Sequence, residues 1–232
     1  SNHSAVIVLP TGSGKSLVIA ELARLARKKI LVVTHVKELV EQNHEKYESF
    51  GLKASVYSAG LKQKSLAHQV TFASVQSLGQ NLDALNDEYS LVIIDECHRV
   101  SGDDNSQYQK LISHIKGKNS ELKVLGLTAT PYRLGLGFIY RFHYHGFVRG
   151  DENAPFEHCI YELPLRYMIK HQYLTPPKLI NAAITHYDFD SLSKDAFGRF
   201  SERDLNQLLK ENQRATKAII HQVLELSYSC QG

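Results

Sequence analysis

Seven consecutive residues, Pro10-Thr11-Gly12-Ser13-Gly14-Lys15-Ser16, have the types and spacing that hold phosphate oxygens. Glycines let backbone N–H groups turn inward around an anion, and a helix opening at Lys15 adds the positive end of its dipole. Lys15 supplies a point charge for the terminal phosphates, and the Ser16 hydroxyl can be offered to Mg2+. A second segment, Leu91-Val92-Ile93-Ile94-Asp95-Glu96-Cys97-His98, is an apolar run that delivers two adjacent carboxylates. In an open α/β sheet ligands sit at the carboxyl ends of strands, where Asp95 would hold Mg2+ and Glu96 would polarise an attacking water. Together the two segments point to hydrolysis of a nucleoside triphosphate, with ATP and Mg2+ as cofactors.

Each segment also has a plainer reading. The first could be a Gly/Ser turn with a surface lysine, and the second a solvated strand end. The strict phosphate-loop pattern also wants Gly where Leu9 stands. His98 could couple the metal and terminal phosphate to a neighbouring segment, or it could be a hydrogen-bonded core histidine. Cys97 reads as a small buried apolar residue rather than a nucleophile.

The elements that must position these residues follow from hydrophobic period. Short β-branched runs at 5–9, 30–34, 54–57, 70–73, 91–95 and 124–128 alternate with helical stretches at 17–27, 36–50, 74–85 and 107–115. Apolar strands separated by helices predict an α/β fold, a mostly parallel sheet covered on both faces. Residues 135–160 lack a clean period and read as loop or irregular strand. A helix over 163–171 should stop before Pro176 and Pro177. Residues 188–203 are polar and turn-prone, and 204–227 have the spacing of one or two amphipathic helices.

With both segments placed, Asp95-Glu96-Cys97-His98 resembles the Asp-Glu-x-His box of superfamily 2 helicases, and the Pro-Thr-Gly-x-Gly-Lys form of the loop is the one those helicases favour. Gly126-Leu127-Thr128-Ala129-Thr130-Pro131 resembles their Thr-Ala-Thr motif, which implies that Thr128, Ala129 and Thr130 link nucleotide state to movement. Thr128 and Thr130, at i and i+2, would face one side of an extended segment. The segment from Thr34 to Gln42 resembles the motif after the second strand, implying that His35 and Lys37 touch the nucleic-acid backbone. Phe72-Ala73-Ser74-Val75-Gln76-Ser77-Leu78 sits where another such motif belongs, with Ser74 and Gln76 as its contacts. Each of these four is equally a loop or helix-cap residue.

The resemblance implies a RecA-like domain over residues 1–180, followed at 181–232 by a helical segment leading toward a second RecA-like domain. It looks closest to the bacterial RadD family, through Asp95-Glu96-Cys97-His98-Arg99-Val100 and residues 161–178. That likeness implies DNA repair, a DNA substrate that is single-stranded or branched, a link to single-strand DNA-binding protein, and a zinc-binding element. Neither of the last two is assigned to any residue. The Q-x-x-G-R-x-x-R pattern that carries transition-state arginines in these motors is absent; Gly198-Arg199 lacks the flanking residues. Such an arginine is worth about a thousandfold or more in rate, so this chain alone is expected to hydrolyse ATP barely.

Tyr140-Arg141-Phe142-His143-Tyr144-His145 interleaves aromatic and basic groups, suited to stacked bases or to a packed insert. His143 and His145 have metal-ligand spacing, but no neighbouring Cys or carboxylate pair completes a site in sequence. The 232 residues are 43% hydrophobic and 22% charged with net charge +3, which permits a nucleic-acid partner without requiring one. The 3 cysteines are far apart and form neither a disulfide framework nor a C-x-x-C site, which suggests a reducing compartment and a cytoplasmic protein. No membrane partner is expected. Ser1 and Asn2 read as a remnant before a truncated first strand. Rival readings are a P-loop kinase, a restriction-type motor subunit, an RNA helicase domain, and a non-catalytic nucleic-acid-binding module.

Overall fold

Leu31 and Val33 pack on one side of the sheet and Ile30 and Val32 on the other, all fully buried. Alternate residues of a strand face opposite ways, so a run that is apolar throughout needs cover on both faces. The computed structural model shows that cover, and it describes residues 4–100, 106–133, 137–148, 153–177, 192 and 200–228. Two compact units are present, Ser1–Thr175 and Pro176–Gly232.

The first unit is built on strands β1 (Ser4–Val8), β2 (Lys29–Thr34), β3 (Ser55–Ser58), β4 (Gln63–Lys64), β5 (Val70–Ser74), β6 (Tyr89–Asp95) and β7 (Lys123–Thr128). A short hairpin, β8 (Tyr132–Arg133) with β9 (Gly137–Phe138), stands apart from the main sheet. Strands β10 (Tyr140–His143), β11 (Gly146–Phe147) and β12 (Phe156–Glu162) complete the set. The main sheet has ten strands in the order β11-β10-β12-β1-β7-β6-β2-β5-β3-β4. From β10 to β3 every neighbouring pair is parallel.

Helices α1 (Lys15–Leu25) and α2 (Lys37–Glu48) cover one face through Ile19, Ala20, Ala23, Val40 and Tyr47. Helices α3 (Val75–Gly79) and α4 (Gln107–Lys118) cover the other through Leu78, Tyr108, Leu111 and Ile115. Each large apolar side chain buried this way stabilises the fold by about 1.5–3 kcal/mol. Because the strands run parallel, the segments after β1, β2, β5, β6 and β7 all emerge along one edge.

Three expectations are corrected. A single helix over 74–85 is not formed: α3 stops at Gly79, and a 3-10 turn covers Leu82–Ala84. Asn81 closes the helix end, its backbone N–H bonded to Leu78 O and its side-chain amide to Ser77 O. For the described part of residues 135–160 the loop alternative is corrected and the irregular strand holds, since β12 pairs with β1 inside the main sheet with a register shift. The register shift opposite Val6/Ile7 breaks the alternation of β12, leaving Cys159 buried and Ile160 and Tyr161 exposed in succession. Its period therefore could not be read. Helix α5 (Leu165–Lys170) is shorter than expected and ends well before the prolines, with Gln172 at φ 60.

In the second unit, α6 (Glu202–Glu211) and α7 (Gln213–Ser227) are the amphipathic helices expected over 204–227. Ser201 caps α6, accepting from Asp204 N–H, and Asn212 lies between the helices with its side-chain amide on Leu208 O. The 180/181 boundary, Gly198-Arg199 and Cys230 lie outside the described residues. No helix among the described residues is long and apolar enough to cross a membrane.

Candidate nucleotide site

The turn after β1 has the conformation an anion cradle needs. Gly12 and Gly14 sit at φ 80 and 87, a region costly for side chains other than glycine. A Cβ on Gly12 would also meet Leu174 Cδ2 at 2.9 Å, so that side chain would have to shift. Ser13 holds the turn closed, its hydroxyl donating to Pro10 O at 2.7 Å. Pro10, Thr11 and Ser16 flank it, and no side chain caps the N-terminus of α1. Leu9, the departure from the strict loop pattern, is core: it is buried, and its N–H donates to Thr128 O.

Strand β6 delivers the carboxylates to the same edge. Asp95 is 3% exposed, and both its oxygens are held: Oδ1 accepts from Glu96 N–H and Oδ2 from Asn43 Nδ2, each at 3.0 Å. Burial pushes its pKa above the ordinary carboxylate range, while the Asn43 bond works against that rise. Glu96 adopts φ 52, a left-handed conformation that turns the chain sharply after the strand. A non-glycine residue there costs of order 1–3 kcal/mol, typical of sites where geometry serves chemistry. The turn brings Glu96 Oε1 within 3.4 Å of Lys15 Nζ.

The other Glu96 oxygen lies 3.3 Å from His98 Nδ1, which also lies 3.0 Å from Thr128 Oγ1. A proton on Nδ1 serves both oxygens. Burial lowers the His98 pKa, favouring the neutral ring. Thr128 is fully buried, and its hydroxyl oxygen accepts from Thr130 N–H at 3.0 Å. The chain bends at Ala129, so the extended i, i+2 arrangement expected of Thr128 and Thr130 is corrected: Thr130 folds back on Thr128 and is exposed. The structure therefore joins Lys15, Glu96, His98 and Thr128 in one chain of contacts.

Of the remaining expected residues, His35 and Gln76 come together, His35 Nδ1 lying 3.1 Å from Gln76 Nε2. Parallel pairing of β2 with β5, Thr34 opposite Ser74, places them side by side. Lys37 is exposed. Ser74 takes the alternative role, capping α3: its oxygen accepts from Ser77 N–H, and its hydroxyl is spent on Ser77 Oγ.

Sequence reasoning missed Asn43, Arg133 and Gly126. Arg133 donates to His98 O and Val100 O, tying the turn after β6 to the segment after β7. A Cβ on Gly126 would meet Cys97 Sγ at 2.5 Å, so glycine there lets β7 approach the buried cysteine. Only the glycine inside an apolar strand carried a hint.

His143, dismissed for want of partners nearby in sequence, has Cys159 and Glu162 brought within 4.8 Å by the pairing of β10 with β12. The trio is satisfied by hydrogen bonds of its own. His143 Nδ1 accepts from His145 N–H, which leaves a proton on Nε2 directed at Glu162, 3.0 Å away. Burial raises the Cys159 thiol to about 11, and it donates to Tyr161 O.

Residues 1–133 match the family model described as type III restriction enzyme, res subunit. The chain belongs to that family. Among relatives, a 51.5 kDa protein of a Lactococcus phage is 31% identical over 137 residues, 57% of this chain and 26% of its own length. The ATP-dependent DNA helicase mph1 of Sclerotinia sclerotiorum is 27% identical over 146 residues, 56% of this chain and 12% of its own. The chain thus spans about a quarter or less of those relatives. The Hef helicase domain of Pyrococcus furiosus is 27% identical, covering 57% of this chain and 31% of that one, with TM-score 0.47. The mostly parallel sheet covered by helices on both faces is of the α/β class.

The donor set available to a metal, the Ser16 hydroxyl and the Asp95 carboxylate, is all hard oxygen, which suits Mg2+. These groups lie at the end of the sheet where the glycine turn opens, so a magnesium nucleotide fits the residues present. Mg2+ would there neutralise charge on the terminal phosphates. Lys15 would bind the same phosphates, and Glu96 would orient a water and take its proton.

Proposed function

We propose that the chain is the ATP-binding motor domain of a nucleic-acid-stimulated helicase or translocase. Pro10 to Ser16 cradle the phosphates, Ser16 and Asp95 hold magnesium, and Glu96 activates water. His98 with Thr128, Ala129 and Thr130 passes the state of the site onward. The observation that carries this reading is the 3.4 Å approach of Lys15 to Glu96 at the mouth of a glycine turn, beside the buried Asp95. Nucleic acid would run along the same sheet edge, over His35, Lys37 and Gln76, with Ser74 supporting α3.

DNA is the favoured substrate, and a RadD-like role in DNA repair is supported by Asp95 to Val100 and residues 161–178. A cytoplasmic location and a link to single-strand DNA-binding protein belong to that same likeness. The RecA-like domain is taken to run over residues 1–180, with 181–232 leading toward a partner domain that supplies arginines to the transition state. The 232-residue chain by itself then binds nucleotide weakly and turns it over slowly.

The test is ATP turnover by the longer protein with single-stranded DNA, duplex DNA and RNA side by side. Stimulation by DNA is expected; equal rates with and without every polynucleotide would overturn the motor reading. A small acceptor becoming phosphorylated would favour a kinase instead.

A further inference from the structure

Asn43 is an unusual residue to find in the middle of α2. It is 1% exposed, and burying an amide is unfavourable unless its hydrogen bonds are met. One half is met, by Nδ2 donating to Asp95 Oδ2 at 3.0 Å. The other half, Oδ1, is buried with no hydrogen-bond partner in the structure. A leucine or valine at this position would fill the same core without that cost, so packing alone does not account for the amide. What the amide does is hold a carboxylate. With Glu96 N–H on Oδ1 and Asn43 on Oδ2, Asp95 cannot rotate about its terminal bond without losing a bond in a buried site.

Resting on the reading of this edge as a magnesium nucleotide site, we propose that Asn43 is a positioning residue for magnesium, setting the plane of the Asp95 carboxylate. Partners that orient a metal-ligating carboxylate commonly contribute 10–100-fold to affinity. Asn43 also makes the orientation of Asp95 depend on the seat of α2. That helix starts at Lys37, about 9 Å along its axis from Asn43 at ~1.5 Å per residue.

The experiment titrates MgCl2 into the chain with methylanthraniloyl-ADP, reading nucleotide fluorescence for wild type, Asn43→Ala and Asn43→Ser, with a thermal melt of each. The expected result is a rise of about tenfold in the magnesium midpoint for Asn43→Ala, with nucleotide binding in excess EDTA unchanged. A folded variant with an unmoved midpoint overturns the proposal, as does equal loss of binding with and without magnesium, which marks a merely structural role. Should both variants fail to fold, NMR of the wild-type chain decides. The Asn43 side-chain amide resonances must shift when magnesium joins nucleotide, and their failure to move is contrary to the proposal. Failure of the underlying site has a separate signature: wild type and Lys15→Ala would then bind the fluorescent nucleotide equally.

Discussion

Lys15 Nζ rests 3.4 Å from Glu96 Oε1, although Lys15 opens the helix after β1 and Glu96 follows β6, two strands separated by β7. Both groups are partly exposed, at 14% and 25%, and the other Glu96 oxygen faces His98 Nδ1 at 3.3 Å. Such an ion pair contributes little to stability. Its interest lies in bringing the proposed phosphate-binding cation and the proposed general base into contact.

Lys15→Ala and Glu96→Gln should therefore separate binding from chemistry. Lys15→Ala is expected to lose most nucleotide affinity. Glu96→Gln keeps the shape and is expected to bind nucleotide while turnover of the longer protein falls about 10²–10⁴-fold, the contribution of a general base. Equilibrium binding and steady-state hydrolysis on the same preparations check both. Full activity in Glu96→Gln would remove that residue from the chemistry.

Asp95→Asn should stabilise the chain at neutral pH while removing magnesium-dependent binding. Asp95 has a folded-state pKa raised above its ordinary value, first by burial and further by Glu96, against the lowering effects of Asn43 and Lys15. The folded state thus holds this proton more tightly than the unfolded one. Stability from this group is fully present below the ordinary carboxylate range and declines as pH rises through the raised pKa. Asparagine carries no such charge, and an amide flip would let Asn43 Oδ1 accept from it. The melting temperature should rise at pH 7, with a smaller gain near pH 4. A lower melting temperature than wild type at neutral pH would contradict the burial argument.

Thr128→Val should destabilise more than Thr128→Ser, which keeps the hydroxyl and loses only a buried methyl. The hydroxyl accepts from Thr130 N–H and bonds His98 from a fully buried position, and valine leaves both groups without it. An orphaned polar group costs about 1–3 kcal/mol. Denaturant midpoints for the two variants measure the difference.

Gly126→Ala should lower stability through a single methyl group. Its Cβ would fall 2.5 Å from Cys97 Sγ and 2.8 Å from Phe156 Cζ, so both buried neighbours must move. Overpacking of this kind costs about 1–3 kcal/mol. An unchanged thermal melt would mean that β7 and the turn after β6 yield more easily than their burial implies.

Much of this was legible in the order of residues, and the exceptions share a cause. The glycine turn, the acids after β6 and the alternation of strands with helices are local patterns, each set by residues within one or two turns of chain. Asn43 gave no signal because a polar residue in a helix normally faces solvent; only the packing of α2 on the sheet turns it toward Asp95. Strand β12 was hidden by its register shift against β1, which destroys the period-two pattern. The His143–Cys159 contact was invisible because strand pairing, not spacing, brings the two together.

The most direct test of the central claim is calorimetric binding of ADP with Mg2+ to the wild-type chain, Lys15→Ala and Asp95→Asn. One shared site predicts measurable wild-type binding that weakens at least tenfold in both variants, with the magnesium dependence gone in Asp95→Asn. Binding that survives unchanged in either variant would mean that the glycine turn and the acidic strand end do not hold the same magnesium nucleotide.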